Sequence, residues 1–166
     1  GIPVNWSQIS GARAIIEAVQ ARGDDALLEF TERFDGARLT ADRLAVTTPE
    51  LLEASFQADD SLRAAVATAG KNIEFFSRKS LRRGWSARNA QGARVGEKFD
   101  PFGRVGIYVP GGTAPLMSTC LMTIVLARVA GCREIVVCTP CDASGAINSG
   151  LLFAARTAGA TEIYRL

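Results

Sequence analysis

In this 166-residue chain, the residues best placed by type and spacing to do chemistry lie in one run, Arg104 to Ala114 (RVGIYVPGGTA). Gly111 and Gly112 follow an apolar stretch, and without a Cβ they let a ligand approach the backbone closely. Pro115 can open a helix directly behind them. The free N–H groups and positive dipole end of that helix would face the loop, which outlines a site for a phosphate or another anion. The pattern is neither G-x-G-x-x-G nor a Walker loop, so a plain strand-to-helix turn stands as the other reading. Tyr108 ends the apolar run, where its ring could stack on a flat ligand; the alternative is a core tyrosine with its hydroxyl at the rim.

Cys138-Thr-Pro-Cys141 is a CxxC. Thiol redox chemistry or half of a zinc site are its sharp readings. A thioredoxin-like pair should open a helix, whereas this one ends an apolar run and enters a loop. Only Cys120 and Cys132 remain as further thiols, so two incidental thiols are the preferred reading. The chain has no histidine. It therefore offers no imidazole as general base, no Ser-His-Asp or Cys-His machinery and no histidine metal ligand. Asp24-Asp25 and Asp59-Asp60 read as helix caps, not acid–base pairs.

The elements that must position these residues divide the chain in two. Residues 1–94 read as mostly helical. Ile9, Ala12, Ile15, Ile16 and Val19 recur at helical spacing up to Gly23, and a second helix carries Ala26, Leu27, Phe30 and Phe34 up to Gly36. Leu44 to Thr47 could be a short strand, and Thr48-Pro49 opens a third helix with a capping hydroxyl. A longer helix starts near Asp59 or Asp60; its stripe of Leu62, Ala65, Val66, Ala69, Ile73 and Phe76 reads as core, with Gly84 as its stop. Residues 95–166 alternate. Val95 to Phe99 could be a strand, turned by Asp100 to Gly103. Arg104 to Val109, Glu134 to Cys138 and Thr161 to Leu166 read as buried strands, separated by helices over 115–130 and 146–158. The expected fold is therefore α/β: an N-terminal helical region followed by a Rossmann-like parallel βαβαβ unit with right-handed crossovers.

Charge is uneven. Residues 1–70 carry 6 basic and 11 acidic side chains, and residues 71–104 carry 9 and 3. Phe75, Phe76 and Trp85 interleave with the basic residues, so a nucleic-acid patch has to be considered. With no accompanying signature, a solvated face paired with the acidic N-terminal part or a partner subunit is preferred. The 23 uncharged residues from Val105 to Ala127 match a membrane span in length, but Pro110, Gly111, Gly112 and Pro115 interrupt them. The opening GIPVNWSQIS has no signal-peptide pattern, and cysteines confined to one region fit a reducing cytoplasm.

Three stretches together carry a resemblance: RGDDALLEFTERFDG at 22–36; Asn72-Ile73 with Phe75-Phe76; and RVGIYVPGGTAPLMSTCLMTIVLARVAGCREIVVCTP from Arg104. The sequence resembles the N-terminal part of histidinol dehydrogenase, over essentially the whole chain. That resemblance implies a homodimeric, zinc-dependent, NAD-using oxidoreductase of histidine biosynthesis, which takes L-histidinol through the aldehyde to L-histidine. It implies that Tyr108 contacts NAD, beside the glycine loop of Gly111 and Gly112. It also implies that the zinc ligands and the Glu/His acid–base pair lie downstream of Leu166, so the chain looks cut before them and is expected to be silent alone. Cys141 stands where the family usually has proline, and Met117 and Leu126 replace further prolines. The alternative is a truncated, non-catalytic relative acting as a binding or assembly module; a nucleic-acid binder using residues 71–104 ranks last.

Overall fold

The computed structural model describes residues 6–111 and 116–166, with side chains from residue 11 onward. Gly112 and Pro115 lie outside the described residues. The chain begins with helices α1 (Trp6–Arg22), α2 (Asp24–Asp35), α3 (Thr48–Gln57) and α4 (Asp60–Ser80). A hairpin of β1 (Trp85–Arg88) and β2 (Arg94–Glu97) follows. The rest is β3 (Arg104–Tyr108), α5 (Met117–Ala130), β4 (Glu134–Thr139), α6 (Ser149–Ala158) and β5 (Glu162–Arg165). The last three strands pair in parallel in the order β3-β4-β5. The expected α/β fold with a parallel βαβαβ unit is what the chain forms.

Helix starts follow local chemistry. Asp59 caps α4, its carboxylate accepting the Leu62 N–H at 2.7 Å. At α3 the capping hydroxyl is Thr47, not Thr48: Thr47 accepts from the Glu50 N–H, and Glu50 accepts the Thr47 N–H at 2.8 Å. Asp24 and Asp25 do not cap α2. Gly23 holds that position, and the two acids stand in the first turn, where the helix dipole favours them. Helix α6 starts three residues later than expected, because the Asp142 carboxylate and backbone hold Ser144 and Ala146 in a turn and Asn148 supplies the cap.

Three layers result. Helices α5 and α6 cover one face of the sheet, and α4 and α3 pack on their outer sides. Sandwiched this way, α6 is buried nearly all round, through Leu151, Leu152, Phe153, Ala154, Ala155 and Ala158. Ile124, Val125, Ile135, Val137 and Val109 complete the centre. Helices α3 and α4 share this core through Ala54 and Val66.

Several expectations fail for physical reasons. Helix α4 ends at Ser80 rather than at Gly84, because Gly84 already lies against β2: a Cβ there would sit 2.9 Å from the Glu97 carbonyl oxygen. Strand β1 was not expected; its four residues are all exposed and too short to show a pattern. Leu44 to Thr47 makes only a single antiparallel bridge, Ala45 to Tyr164, on the outer edge of β5. Phe76 is 72% exposed and Phe75 68% exposed, so the aromatic end of the α4 stripe is not core. Strand β3 is not buried either. It is an edge strand, and only Val105 and Ile107 turn toward the helix side, while Arg104, Gly106 and Tyr108 are exposed. Among the described residues no helix is long and apolar enough to cross a membrane.

Candidate functional site

The candidate site forms where β3 and β4 end. Tyr108 lies in register with Cys138, and the Val109 N–H donates to the Cys138 carbonyl at 2.9 Å. Beyond Val109 the chain leaves the sheet at Pro110, and the Tyr108 ring is left 59% exposed. It is thus not a core tyrosine with its hydroxyl at the rim.

Two adjoining clefts share Tyr108, Asp35 and Pro140. One, of about 470 Å³, is bounded by Gly111, Asp142 and Asn148. The other, of about 250 Å³, is bounded by Phe30 and Phe34 of α2 and by Leu166. The second lies between the α1–α2 arm and the carboxyl ends of the strands. Gly111 lines the first cleft in close contact with Pro140: an added Cβ would lie 3.0 Å from the Pro140 Cγ. Close approach is therefore the reason for glycine at 111. Leu116 caps α5 without a side-chain bond, and no acid stands in its first turn. The positive end of α5 is left unneutralised by its own residues, which suits an anion.

The titratable groups here divide by environment. The Ser144 hydroxyl, with the Ala146 and Ser144 backbone N–H groups, holds the Asp142 carboxyl below its ordinary range. Burial pushes the Asp35 carboxyl up. Burial also raises the thiols of Cys138 and Cys141, in the second case with help from Asp35. Cys120 is pushed up to about 12 by burial. A thiol raised in this way is a poorer nucleophile at neutral pH. Among the described residues, no three metal-capable side chains cluster.

The structure brings Tyr108 and Gly111 to one cleft, while Gly112 lies outside the described residues. Sequence reasoning missed Asp35, Pro140 and Asn148 as cleft residues. Asp35 and Pro140 belong to runs that carry the resemblance, but nothing in the sequence alone says that the end of α2 returns to the sheet. Among the described residues, four of the nine basic side chains of 71–104 form ion pairs, with acids of their own stretch or of the sheet. Arg78 and Arg128 meet Glu74, Arg82 meets Glu97, Lys98 meets Asp100, and Arg104 bridges Glu134 and Glu162. Of the two expected partners, the acids of residues 1–70 form no ion pair with this stretch among the described residues; a partner subunit is the other.

Comparison with known proteins places this geometry. The family model described as histidinol dehydrogenase matches residues 5–166. The histidinol dehydrogenase of Symbiobacterium thermophilum is 45% identical over 154 residues, covering 93% of this chain and 35% of that protein. The Synechococcus enzyme is 43% identical over 157 residues, covering 95% and 36%. The crystal structure of histidinol dehydrogenase from Elizabethkingia anophelis superposes with a TM-score of 0.88 at 33% identity, over 99% of this chain and 37% of that one. The chain thus spans about a third of the length of the curated relatives it matches, in their N-terminal part. Over that third, the chain belongs to the histidinol dehydrogenase family.

Proposed function

We propose that this chain is the N-terminal, cofactor-side segment of an NAD-dependent histidinol dehydrogenase, and that Tyr108, Gly111 and Gly112 contact the dinucleotide. The observation that carries the reading is the exposed Tyr108 ring at the carboxyl end of β3, over a cleft floored by Gly111 and Pro140. Ligands of open parallel sheets collect at that end of the strands. The residues fit such a group: an aromatic face to stack on, a backbone stretch without a Cβ, and an uncapped helix end for phosphate. When bound, the cofactor supplies hydride acceptance in the oxidation of histidinol. Tyr108 would orient it by stacking, the Gly111 backbone would admit it, and the α1–α2 arm would shield it from water on the side of Phe34.

The zinc of the family has no comparable fit here. The chain has no histidine, its thiols at the site are held protonated by burial, and the described residues gather no three-donor cluster. No metal step is assigned to these residues, and we expect the 166-residue chain to be silent alone. The halves 1–94 and 95–166 are then a shielding, packing part and a cofactor part. Four free cysteines fit a reducing cytoplasm.

Calorimetric titration of the purified chain with NAD⁺ tests the reading, with histidinol turnover followed in the same samples. Saturable binding that Tyr108→Ala abolishes, without turnover, is the expected outcome. Binding indifferent to Tyr108→Ala would remove Tyr108 from the site, and turnover by the chain would end the claim of silence.

A second reading, an assembly module, has one specific support. Phe75, Phe76, Trp85 and Phe102 are each more than half exposed around the basic end of α4. A surface of that kind usually meets a partner, and a second copy of the chain would make the homodimer. A sedimentation coefficient that stays monomeric at high concentration would count against it.

A further inference from the structure

We propose that Asp35 selects the dinucleotide: its carboxylate accepts hydrogen bonds from the adenosine ribose hydroxyls and turns away a cofactor carrying a 2′-phosphate. This rests on the Tyr108 cleft being the dinucleotide site. Asp35 lines both clefts alongside Tyr108. It is the last residue of α2, just before Gly36, whose φ of 71° closes the helix in the left-handed region. A carboxylate there meets the negative end of the helix dipole and is disfavoured. Asp24 and Asp25 sit at the favourable end of the same helix, and its two glutamates have cations: Glu29 meets Arg22 at 2.6 Å and Glu32 meets Arg38 at 2.5 Å. Asp35 has no hydrogen bond or ion pair among the described residues, and burial pushes its carboxyl up. The fold thus carries a carboxylate at a cost, facing a cleft, with its acceptor capacity unspent.

The obvious rival is Asp142. Acids beyond the second strand of a nucleotide-binding sheet commonly take the ribose diol, and Asp142 follows β4. Its Oδ1, however, already accepts from the Ser144 N–H at 2.8 Å, the Ser144 hydroxyl at 2.6 Å and the Ala146 N–H at 3.0 Å. Asp142 has one oxygen committed to its loop, whereas Asp35, arriving from a different element, has neither oxygen engaged among the described residues. A second observation bears on selectivity. No lysine or arginine lines either cleft, and residues 1–5 and 112–115 contain none. Among the described lining residues, a 2′-phosphate would meet two carboxylates and no cation.

The test is calorimetry of the full chain and of Asp35→Asn with NAD⁺ and NADP⁺. We expect the wild-type chain to prefer NAD⁺. Asp35→Asn should weaken NAD⁺ about tenfold, the scale of one charge-assisted hydrogen bond, and narrow the preference over NADP⁺. Asp35→Asn should melt no lower than wild type, since it removes an adverse helix-end charge. A competition readout needs no variant: adenosine should displace NAD⁺ from the wild-type chain, and adenosine 2′-phosphate should not. Unchanged NAD⁺ affinity and preference in Asp35→Asn, or equal competition by the two adenosines, overturns the role of Asp35 while leaving the cofactor reading intact. A wild-type chain that binds neither dinucleotide overturns both.

Discussion

Gly111 shows how one missing atom shapes the site. Its backbone runs against the Pro140 ring so closely that a methyl group would sit 3.0 Å from the Pro140 Cγ and 3.2 Å from its Cβ. Proline cannot swing aside as a long side chain can, so the loop after β3 or the loop after β4 must yield. Both loops line the same cleft, so a packing change becomes a change of ligand geometry. Gly111→Ala should lower stability by about 1 kcal/mol, as small overpacking does. It should weaken NAD⁺ several-fold more than such a loss alone would predict. Thermal melts and NAD⁺ titrations of the same samples check this; a variant that melts lower yet binds normally would uncouple Gly111 from the cleft. Residue type and position made Gly111 and Tyr108 candidates in the sequence, and both line one cleft. Asp35 was not readable as a site residue, because its role depends on where the far end of α2 comes to rest.

Among the elements, α3 and the η turn over Ala41–Arg43 are tied to β5 by one buried cation. Arg165 is 3% exposed; it donates to the Arg43 carbonyl at 3.0 Å and to Glu50 at 2.5 Å, while its Nε has no partner among the described residues. Burial pushes the Glu50 carboxyl up, but bonds from Thr47 and Arg165 outweigh it and hold the group below its ordinary 4.5. A carboxyl lowered in the folded state contributes stability above its unfolded value, and that contribution is lost as pH falls below about 4.5. Glu50→Gln should therefore cost about 1–2 kcal/mol at neutral pH, less than a fully buried pair because Glu50 is partly solvated. The cost should shrink in acid. Urea unfolding at pH 7 and pH 4 measures both, and a deficit that is the same at both pH values would refute the pairing. This link also marks the limit of what the sequence discloses. The α3 start, the three parallel strands and the helices between them follow from caps, glycine stops and β-branched runs. The antiparallel bridge at Ala45, the hairpin strand β1 and the exposed edge of β3 do not, because each depends on which distant strand lies alongside. A short run such as RVGIYV looks equally apolar at the centre of a sheet and at its edge.

For the molecule as a whole, the core and the arm are built to different standards. Helices α5 and α6 and strand β4 hold most of the fully buried side chains, whereas α1 buries none of its described ones and leaves Ile16 57% exposed. In α1 only Ile15, Ala18 and Val19 are half-buried. Between the arm and the sheet lies the cleft of about 250 Å³ that Phe30, Phe34 and Asp35 share with Tyr108. Few buried contacts and an internal gap give a low free energy of local opening, since opening exposes little that was hidden. The amides of residues 11–35 should accordingly exchange with solvent much faster than those of β4 and α6. A dinucleotide seated against Tyr108 and Asp35 would fill the gap, bind the closed arm better than the open one, and shift that population in proportion to the difference. Hydrogen exchange with and without saturating NAD⁺ separates the possibilities. Slowing confined to residues 11–35 and the loops after β3 and β4 would make the arm a cover that the cofactor closes. Protection already equal to that of α6 without ligand would make it a rigid wall, and the cleft would then have to admit its ligand with no movement of α1 or α2.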